Sequence, residues 1–347
     1  MKVRVLGAGV IGLASAAELL RRGHDVTVID PSPGSGASYA AAGMLCPAGE
    51  LWHGEDDLWR LGRASAALWP AFAADLGVPL HRTGTVLAAA DAADLQEVDR
   101  QLALLASAGI TAESLSRREL MAREPGLGRV VGGAYLPDDH SVDPRAVVAA
   151  LLARVPVTRS AVADMADPAR DMADPAYDAT VVATGATLPE PFAQLVRPVR
   201  GEILRVRTDD GPRQVVRGLV HGESVYVVPR AGSTEVVIGA TSEEHDGEAE
   251  VTVEGVHRLL DAARELLPSL DRATFVEAIA RNRPGTRDNL PLVGPSGVDG
   301  VVLAAGHYRH GVLLAPLTAR LVADHLETGA IDAALDPRRF AREGANA

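Results

Sequence analysis

The chain has 347 residues, enough for two domains that share one interface. Hydrophobic residues make up 47% and charged residues 23%, a globular balance that excludes wholesale disorder. The formal net charge of −12 argues against nucleic acid as a partner, because phosphate binding needs a basic surface. No segment has ~20 uninterrupted apolar residues, so we predict no membrane span. The single cysteine, Cys46, excludes an intrachain disulfide and fits a cytoplasmic protein.

The N-terminal residues have the pattern of a βαβ unit. Residues 2–6 and 25–30 are predicted as strands, and residues 10–22 as the helix between them. The basic start and apolar stretch imitate a secretory signal, but Glu18 and the arginines after it continue the helical pattern instead. The sequence therefore predicts the start of a doubly wound α/β domain.

The middle of the chain contains further segments with recognisable ends. A strand is predicted at 85–90, followed by a helix with Leu95 and Leu105 on its buried face. Ser116 and Glu119 form a capping-box pattern, and Asp143 with Pro144 marks the start of another helix. A strand is predicted at 179–183, and the tandem at 164–176 is interpreted as a duplicated surface loop.

From residue 201 onward the pattern changes and then returns. Short apolar segments separated by Gly, Pro and Asp predict an antiparallel sheet, and 301–305 and the helix after it restore α/β character. We predict a Rossmann-type doubly wound domain with an inserted antiparallel-sheet domain. The predicted boundaries are 1–84, 136–196 and 284–347 for the nucleotide-binding domain, and 85–135 and 197–283 for the substrate-binding domain.

A glycine motif, GAGVIG at residues 7–12, joins the first strand to the first helix. Glycines allow the tight turn and let a pyrophosphate approach the helix N-terminus. Asp30 ends the second strand, where a carboxylate accepts hydrogen bonds from ribose hydroxyls and disfavours NADP. A structural turn without a nucleotide, and NAD instead of FAD, are the alternatives. The stretch at 38–44, the sequence Ala-Thr-Gly at 183–185 and a C-terminal glycine turn favour FAD.

Five further motifs carry a resemblance to a known family: AAAGML at 40–45, YVVPR at 226–230, GAT at 239–241, RPGT at 283–286 and GHYRHGVLLAP at 306–316. With the glycine motif, they make the chain similar to the FAD-dependent D-amino acid oxidase superfamily, and within it to the glycine oxidases of thiamine biosynthesis. The resemblance covers nearly the whole chain. It implies a noncovalent FAD at the domain interface.

The resemblance also implies which residues hold the cofactor. A helix beginning near Gly311 would direct its positive end at the flavin pyrimidine, where charge collects on reduction. The residues predicted to bind FAD are Gly7, Ala8, Gly9, Val10, Ile11, Gly12, Asp30, Pro31, Ser38, Ala41, Ala42, Gly43, Met44, Val162, Thr184, Gly185, Gly306, Arg309, His310, Gly311, Val312 and Leu313.

The predicted substrate site is centred on Arg283, whose guanidinium can hold a carboxylate through two parallel hydrogen bonds. Arg281 and Arg287 are alternatives on spacing alone. Tyr226 is predicted to bind the same carboxylate through its hydroxyl. Arg309, Met44 and Ser242 complete the predicted substrate site.

Two positions depart from the family pattern, and two other groups have simpler interpretations. His310 stands where an asparagine is usual, and Ser242 replaces a larger apolar residue, which puts the shape of the pocket in doubt. Residues 138–140 (DDH) are interpreted as a solvated loop, and no metal site is predicted. Cys46 is interpreted as a small buried thiol.

The predicted activity is the oxidative deamination of glycine to the imine and then to glyoxylate and ammonia, with dioxygen reduced to hydrogen peroxide. Orientation and desolvation are expected to suffice, without a protein acid or base. An oxidase or dehydrogenase for sarcosine or a small D-amino acid is the alternative, and an NAD-dependent dehydrogenase or a noncatalytic flavin-binding subunit are more distant ones. A homo-oligomer and transfer of the imine to thiazole synthase are also expected from the resemblance.

Overall fold

The computed structural model describes residues 1–160, 174–244 and 248–340. Val162 and most of the 164–176 tandem lie outside these ranges. In chain order the strands are β1 Lys2–Leu6, β2 Asp25–Ile29, β3 Met44–Leu45, β4 Leu80–His81, β5 Thr85–Ala89, β6 Glu113–Ser116, β7 Gly132–Leu136, β8 His140–Val142, β9 Val157–Thr158, β10 Ala179–Val182, β11 Arg197–Arg207, β12 Val215–Val220, β13 Glu223–Pro229, β14 Glu235–Gly239, β15 Glu243–Glu244, β16 Thr274–Gly285, β17 Leu292–Pro295 and β18 Val301–Ala305.

The helices are α1 Val10–Arg21, α2 Ala37–Ala40, α3 Asp56–Ala66, α4 Trp69–Leu76, α5 Ala92–Ser107, α6 Arg117–Arg123, α7 Pro144–Leu152, α8 Val253–Leu266 and α9 Gly311–Thr328. Short 3₁₀ turns lie at Ala193–Leu195, Pro268–Arg272 and Ala333–Leu335. No helix of the described ranges is long and apolar enough to cross a membrane.

A mostly parallel sheet forms the first layer, in the strand order β17-β18-β10-β1-β2-β9. Only the edge strand β17 runs antiparallel to its neighbour. The strands β10 and β18 are almost continuously apolar, because both faces of the sheet are covered: Val181 and Val302 pack with α1 and α9, and Val182 and Leu303 pack in a second cluster with Phe192. Val5, Val28 and Val181 are fully buried there. This is the doubly wound architecture that the sequence predicts.

The second sheet has the path β15-β11-β14-β13-β12-β5-β7-β6, with β16 pairing along β11. Its neighbouring strands are antiparallel except β5 and β12, which run parallel. The helix α8 covers one face, with Leu259 and Leu266 buried against Val225 and Val227. A small sheet, β3-β8-β4, completes the strand pairing.

The predicted helix ends are confirmed in atomic detail. Ser116 Oγ accepts the N–H of Glu119 at 3.4 Å, and the Glu119 carboxylate accepts the N–H of Ser116 at 2.9 Å. Asp143 Oδ1 accepts the N–H of Arg145 at 3.0 Å, and Pro144 occupies the first turn of α7. These local contacts explain why short-range sequence signals predicted the helix starts correctly.

Candidate active site

A cavity of about 920 Å³ lies where the parallel sheet meets the second sheet. It is large enough for a cofactor together with a small substrate. Of the predicted site residues, those lining it are Gly7, Gly9, Val10, Ile11, Asp30, Pro31, Ser38, Ala41, Ala42, Gly43, Met44, Thr184, Gly185, Tyr226, Ser242, Arg283, Gly306, Arg309, His310, Gly311, Val312 and Leu313. Ala8 and Gly12 belong to the glycine turn without lining the cavity.

At one end of the cavity the glycine turn leaves no room for side chains. Gly7 has a φ of +102°, and a Cβ there would stand 2.3 Å from the carbonyl oxygen of Ala183. A Cβ on Gly12 would stand 2.0 Å from the carbonyl oxygen of Gly7. The Ala8 N–H donates to Asp30 Oδ2 at 2.6 Å, which ties the turn to the end of β2. Only glycines permit this close packing of strand, turn and helix.

Two helix N-termini border the cavity. The N-cap residues Gly9 of α1 and His310 of α9 make no side-chain hydrogen bond to their helices. The N–H of Val10 at the start of α1 donates to Ser38 Oγ at 3.0 Å. Ser65 Oγ and Trp69 Nε1 both donate to the carbonyl oxygen of Leu313, at 2.6 and 2.9 Å, and hold the first turn of α9 in place. Each helix therefore presents its positive end to the cavity, as a pyrophosphate and a reduced flavin require.

A strand segment between these helices is held by a buried cation. Gly43 has a φ of +80°, and a Cβ there would stand 2.0 Å from the carbonyl oxygen of Val142. Arg230 Nη1 donates to the carbonyl oxygens of Ala42 and Val142, at 2.6 and 3.2 Å. Burial lowers the pKa of Arg230 to about 10, so the guanidinium stays charged at neutral pH. The hydrogen bonds from Arg230 thus fix the position of the cavity wall at Ala42 and Gly43.

At the other end, Arg283 extends from β16 across β11. A Cβ on Gly201 would lie 2.2 Å from the guanidinium, so the glycine leaves the space that this side chain occupies. Arg283 Nη1 donates to the carbonyl oxygen of Thr241 at 3.1 Å. The Tyr226 ring similarly lies over Gly239, and burial raises the pKa of its phenol despite the nearby Arg283. Both polar groups therefore have fixed positions in the cavity wall.

The structure separates Arg283 from the two alternative arginines. Arg281 donates through Nε to the carbonyl oxygen of Ser35 at 2.8 Å and lies near the Tyr39 ring. Arg287 is exposed, packs near Phe340 and does not line the cavity. Arg283 alone of the three stands beside Tyr226.

Around His310 the cavity carries several nitrogen groups. Arg309 is exposed, and its Nη2 lies 3.4 Å from Ser242 Oγ. Burial lowers the pKa of His310, and it lowers that of His307 to about 3. His307 Nε2 lies 2.9 Å from Thr318 Oγ1. Both imidazoles are therefore neutral at neutral pH, while Arg309 supplies positive charge.

An ion pair that the sequence did not predict also lines the cavity. Arg217 Nη1 donates to Glu50 Oε1, and both side chains are mostly buried. Burial opposes ionisation of Glu50, but the neighbouring Arg217 outweighs it and holds the pKa of this carboxyl below the ordinary value. The two residues are 167 positions apart in sequence, so no local pattern could have joined them. An arginine within the apolar strand β12 was the one available signal.

The interpretation of residues 138–140 as a solvated loop is wrong for Asp139. This carboxylate is fully buried and accepts the N–H groups of Ala48 and Gly49, at 3.2 and 2.9 Å. Burial raises its pKa to about 7 despite these donors. It organises the loop before Glu50 and has no contact with solvent. The neighbouring Cys46 is a buried thiol, as predicted, and burial raises its pKa.

The chain is similar to known proteins in sequence and in fold. The chain matches the family described as FAD dependent oxidoreductase over residues 2–325. It is 32% identical to a glycine oxidase of Geobacillus kaustophilus, covering 94% of this chain and 92% of that protein. The crystal structure of glycine oxidase from the same organism superimposes with a TM-score of 0.85 at 31% identity, covering 97% of this chain and 98% of that one.

A second kind of relative is longer. The chain is 32% identical to a bifunctional protein ThiO/ThiG of Trichormus variabilis, covering 97% of this chain but 54% of that protein. It therefore spans about half the length of this relative. The glycine turn, the uncapped helix ends and the size of the cavity all fit FAD. The chain belongs to the FAD dependent oxidoreductase family, as its resemblance to the D-amino acid oxidase superfamily predicted, and uses FAD as its cofactor.

Proposed function

We propose that this enzyme oxidises the amino group of a small amino acid, with glycine as the first substrate to test. The observation that carries the proposal is the position of Arg283 beside Tyr226, in the same cavity as the glycine turn. A fixed guanidinium and a phenol suit the carboxylate of an amino acid. An oxidase or dehydrogenase for sarcosine or a small D-amino acid is the alternative that this geometry also supports.

The FAD that the glycine turn and the N-terminus of α9 would hold would supply the redox chemistry of the proposed reaction, a two-electron oxidation of the amine to the imine with reduction of dioxygen to hydrogen peroxide. Arg283 holds the substrate carboxylate through the donors that the carbonyl oxygens of Arg200 and Thr241 leave free. The Tyr226 hydroxyl donates a hydrogen bond to the same carboxylate and limits rotation of the substrate. The imine that leaves the cavity is hydrolysed to glyoxylate and ammonia.

Orientation is the main contribution of the protein in this proposal. A carboxylate fixed at Arg283 restricts where the amine and the α-carbon lie, and the buried walls exclude water around them. Burial lowers the pKa of His310, and that of His307 to about 3, so both imidazoles are weak bases and neither is protonated to act as an acid. We therefore assign no acid or base to a side chain. The predicted FAD contacts keep their roles as part of this proposal.

The names of the relatives suggest a place for the product. A glycine oxidase and a bifunctional protein ThiO/ThiG both align along this chain. We infer that the imine serves thiazole synthesis in thiamine formation and is passed to thiazole synthase. The cytoplasmic location, the homo-oligomer and the domain boundaries remain predictions.

The direct test is to mix the purified flavoprotein with glycine in the absence of oxygen, record the visible flavin absorbance, and then admit air. Bleaching followed by recovery supports a flavin oxidase for glycine. A yellow protein that stays oxidised with glycine, but bleaches with sarcosine or a small D-amino acid, moves the assignment to the alternative. If no amine bleaches the flavin, the proposed function is wrong.

A further inference from the structure

The cavity wall next to Tyr226 contains the ion pair of Arg217 and Glu50, which the proposed reaction does not use. Arg217 on β12 is the direct cross-strand partner of Tyr226 on β13, so both side chains stand on the same face of the sheet. The neighbours of Tyr226 on this face include Val215 and Val228, which are buried and apolar. A charged pair is therefore built into a wall that also contains buried apolar side chains.

Each member of the pair has hydrogen-bonding capacity to spare. Within the described residues, Arg217 donates only through Nη1 and Glu50 accepts only at Oε1. The remaining nitrogens of Arg217 and the second oxygen of Glu50 have no hydrogen-bond partner among the described residues, and they are not fully buried. Because both side chains line the cavity, these atoms are reachable from it. The pair offers a ligand at least one donor and one acceptor side by side.

The charges of the pair decide which chemical group it suits. A second carboxylate on the ligand would be attracted by Arg217 but repelled by Glu50, and an ammonium group would meet the reverse conflict. A methyl group would remove water from both charges without replacing its hydrogen bonds, which is costly in a buried site. A neutral group with one donor and one acceptor satisfies both residues.

The residues around the pair leave space for such a group. Ser224 lies two positions before Tyr226 on β13, and therefore on the same face of the strand, and it lines the cavity. Ser242 lines the cavity beside Arg309, where the family pattern has a larger apolar residue. Two small hydroxyl side chains thus border the wall near the substrate.

We propose that Arg217 and Glu50 form a specificity subsite for a short neutral polar side chain, a hydroxyl or a carboxamide, on the amino acid whose carboxylate lies at Arg283. This inference rests on the proposed function and names the substrate class. Glycine leaves the subsite to water. Serine-like and asparagine-like amino acids fill it, and each is preferred over an apolar amino acid of the same size.

The experiment measures binding without turnover. Carboxylic acids that lack an amino group are titrated into the oxidised FAD-containing protein, and the change in flavin absorbance gives each Kd. The matched pairs are 3-hydroxypropanoate against butanoate, and succinamate against succinate. We expect the first member of each pair to bind at least roughly tenfold more tightly, since a site built to hydrogen-bond a polar group rejects butanoate, which lacks it, and Glu50 repels the second carboxylate of succinate.

The variant Arg217→Met should reduce the preference for 3-hydroxypropanoate over butanoate to less than about threefold, because only Glu50 then remains to bind the polar group. The preference for succinamate over succinate should persist in this variant, because Glu50 still repels the second carboxylate. The control is Arg100→Met, which removes the arginine of the exposed pair with Glu97 on α5 and should keep both preferences. Removing Arg217 leaves Glu50 buried without its partner and carries a risk of misfolding. The double variant Arg217→Met with Glu50→Gln removes both charges and should lose both preferences while retaining FAD.

The native protein alone can overturn the proposal. Equal binding of butanoate and 3-hydroxypropanoate would show that no polar subsite exists, and tightest binding by succinate would show an acid-binding site instead. Unchanged preferences in both the single and the double variant would place the subsite elsewhere. If the preferences hold but no amine bleaches the flavin, the subsite stands and the proposed function fails. If glycine bleaches the flavin but the preferences are absent, only the subsite fails.

Discussion

The two ends of the cavity are built from different parts of the chain. At the end that we propose for the nucleotide, the structure is set by backbone packing within the first 43 residues, at Gly7, Gly12 and the N-terminus of α1. At the substrate end, side chains converge from distant strands, with Tyr226 on β13 and Arg283 on β16. A backbone site tolerates little variation in residue type. A side-chain site can change its specificity one residue at a time, and the comparison predicts different responses to mutation.

The largest expected effect is at the nucleotide end. In Gly12→Val the new side chain would overlap the carbonyl of Gly7, so FAD binding should weaken by at least about 3 kcal/mol, roughly 100-fold, as measured by flavin content and fluorescence titration. Gly23→Ala is the control, because Gly23 has a φ of +86° but nothing within 4 Å of the added Cβ. It should cost about 1–2 kcal/mol of stability and keep FAD. Normal FAD affinity in Gly12→Val would refute the backbone account.

An intermediate effect is expected at the substrate end. Arg283→Lys should keep FAD but raise the KM for glycine roughly 10- to 100-fold, because an ammonium cannot reproduce the planar fork. Steady-state oxygen consumption measures the change. Arg287→Lys is the matched control and should leave KM unchanged, because Arg287 is exposed and does not line the cavity. Unaltered glycine kinetics in Arg283→Lys would remove Arg283 from the substrate site.

The smallest effect concerns His307, which lines the cavity just before α9. Burial lowers its pKa from 6.5 to about 3, so the unfolded chain binds a proton that the folded protein rejects between these values. The free energy of unfolding should therefore fall as the pH decreases below about 6.5, by up to about 1.4 kcal/mol per pH unit. His307→Gln should flatten this part of the slope.

Urea unfolding at about pH 7 and about pH 5 measures that difference, which should be about 2 kcal/mol smaller in His307→Gln than in the native protein. The exposed His257 provides a control, since His257→Gln should leave the slope unchanged. Equal slopes in His307→Gln and the native protein would mean that the buried imidazole does not set this pH dependence.

The same contrast explains what could be predicted from the sequence. The glycine turn, the strand before it and the helix after it are contiguous, so residues 7–12 and Asp30 predicted the turn that borders one end of the cavity. Helix starts such as Asp143 with Pro144 also depend on near neighbours. The doubly wound sheet and the inserted second sheet followed from these local patterns.

The substrate end was only partly predictable. Spacing left Arg281, Arg283 and Arg287 equal. Arg281 and Arg283 both line the cavity, and the structure separates the three arginines by their partners: Arg281 donates to Ser35, Arg283 lies over Gly201 and donates to Thr241, and Arg287 packs near Phe340. The pair of Glu50 and Arg217 joins residues that are 167 positions apart, which no local pattern reveals.

Asp139 was misinterpreted because a run of polar residues usually indicates solvent exposure. Here the carboxylate is buried and accepts the N–H groups of Ala48 and Gly49. The loop that donates these hydrogen bonds is about ninety positions earlier in the chain. A sequence pattern shows the polarity of a residue but not the distant partner that allows its burial.

The measurement that tests the central claim most directly is the stoichiometry of the native enzyme with glycine in air. Ammonia, glyoxylate, hydrogen peroxide and consumed dioxygen are quantified in the same reaction. The proposed function predicts equal amounts of all four, since each oxidised amine reduces one dioxygen to peroxide. Oxygen consumption without ammonia, or no reaction with glycine at any concentration, would contradict glycine oxidation by this enzyme.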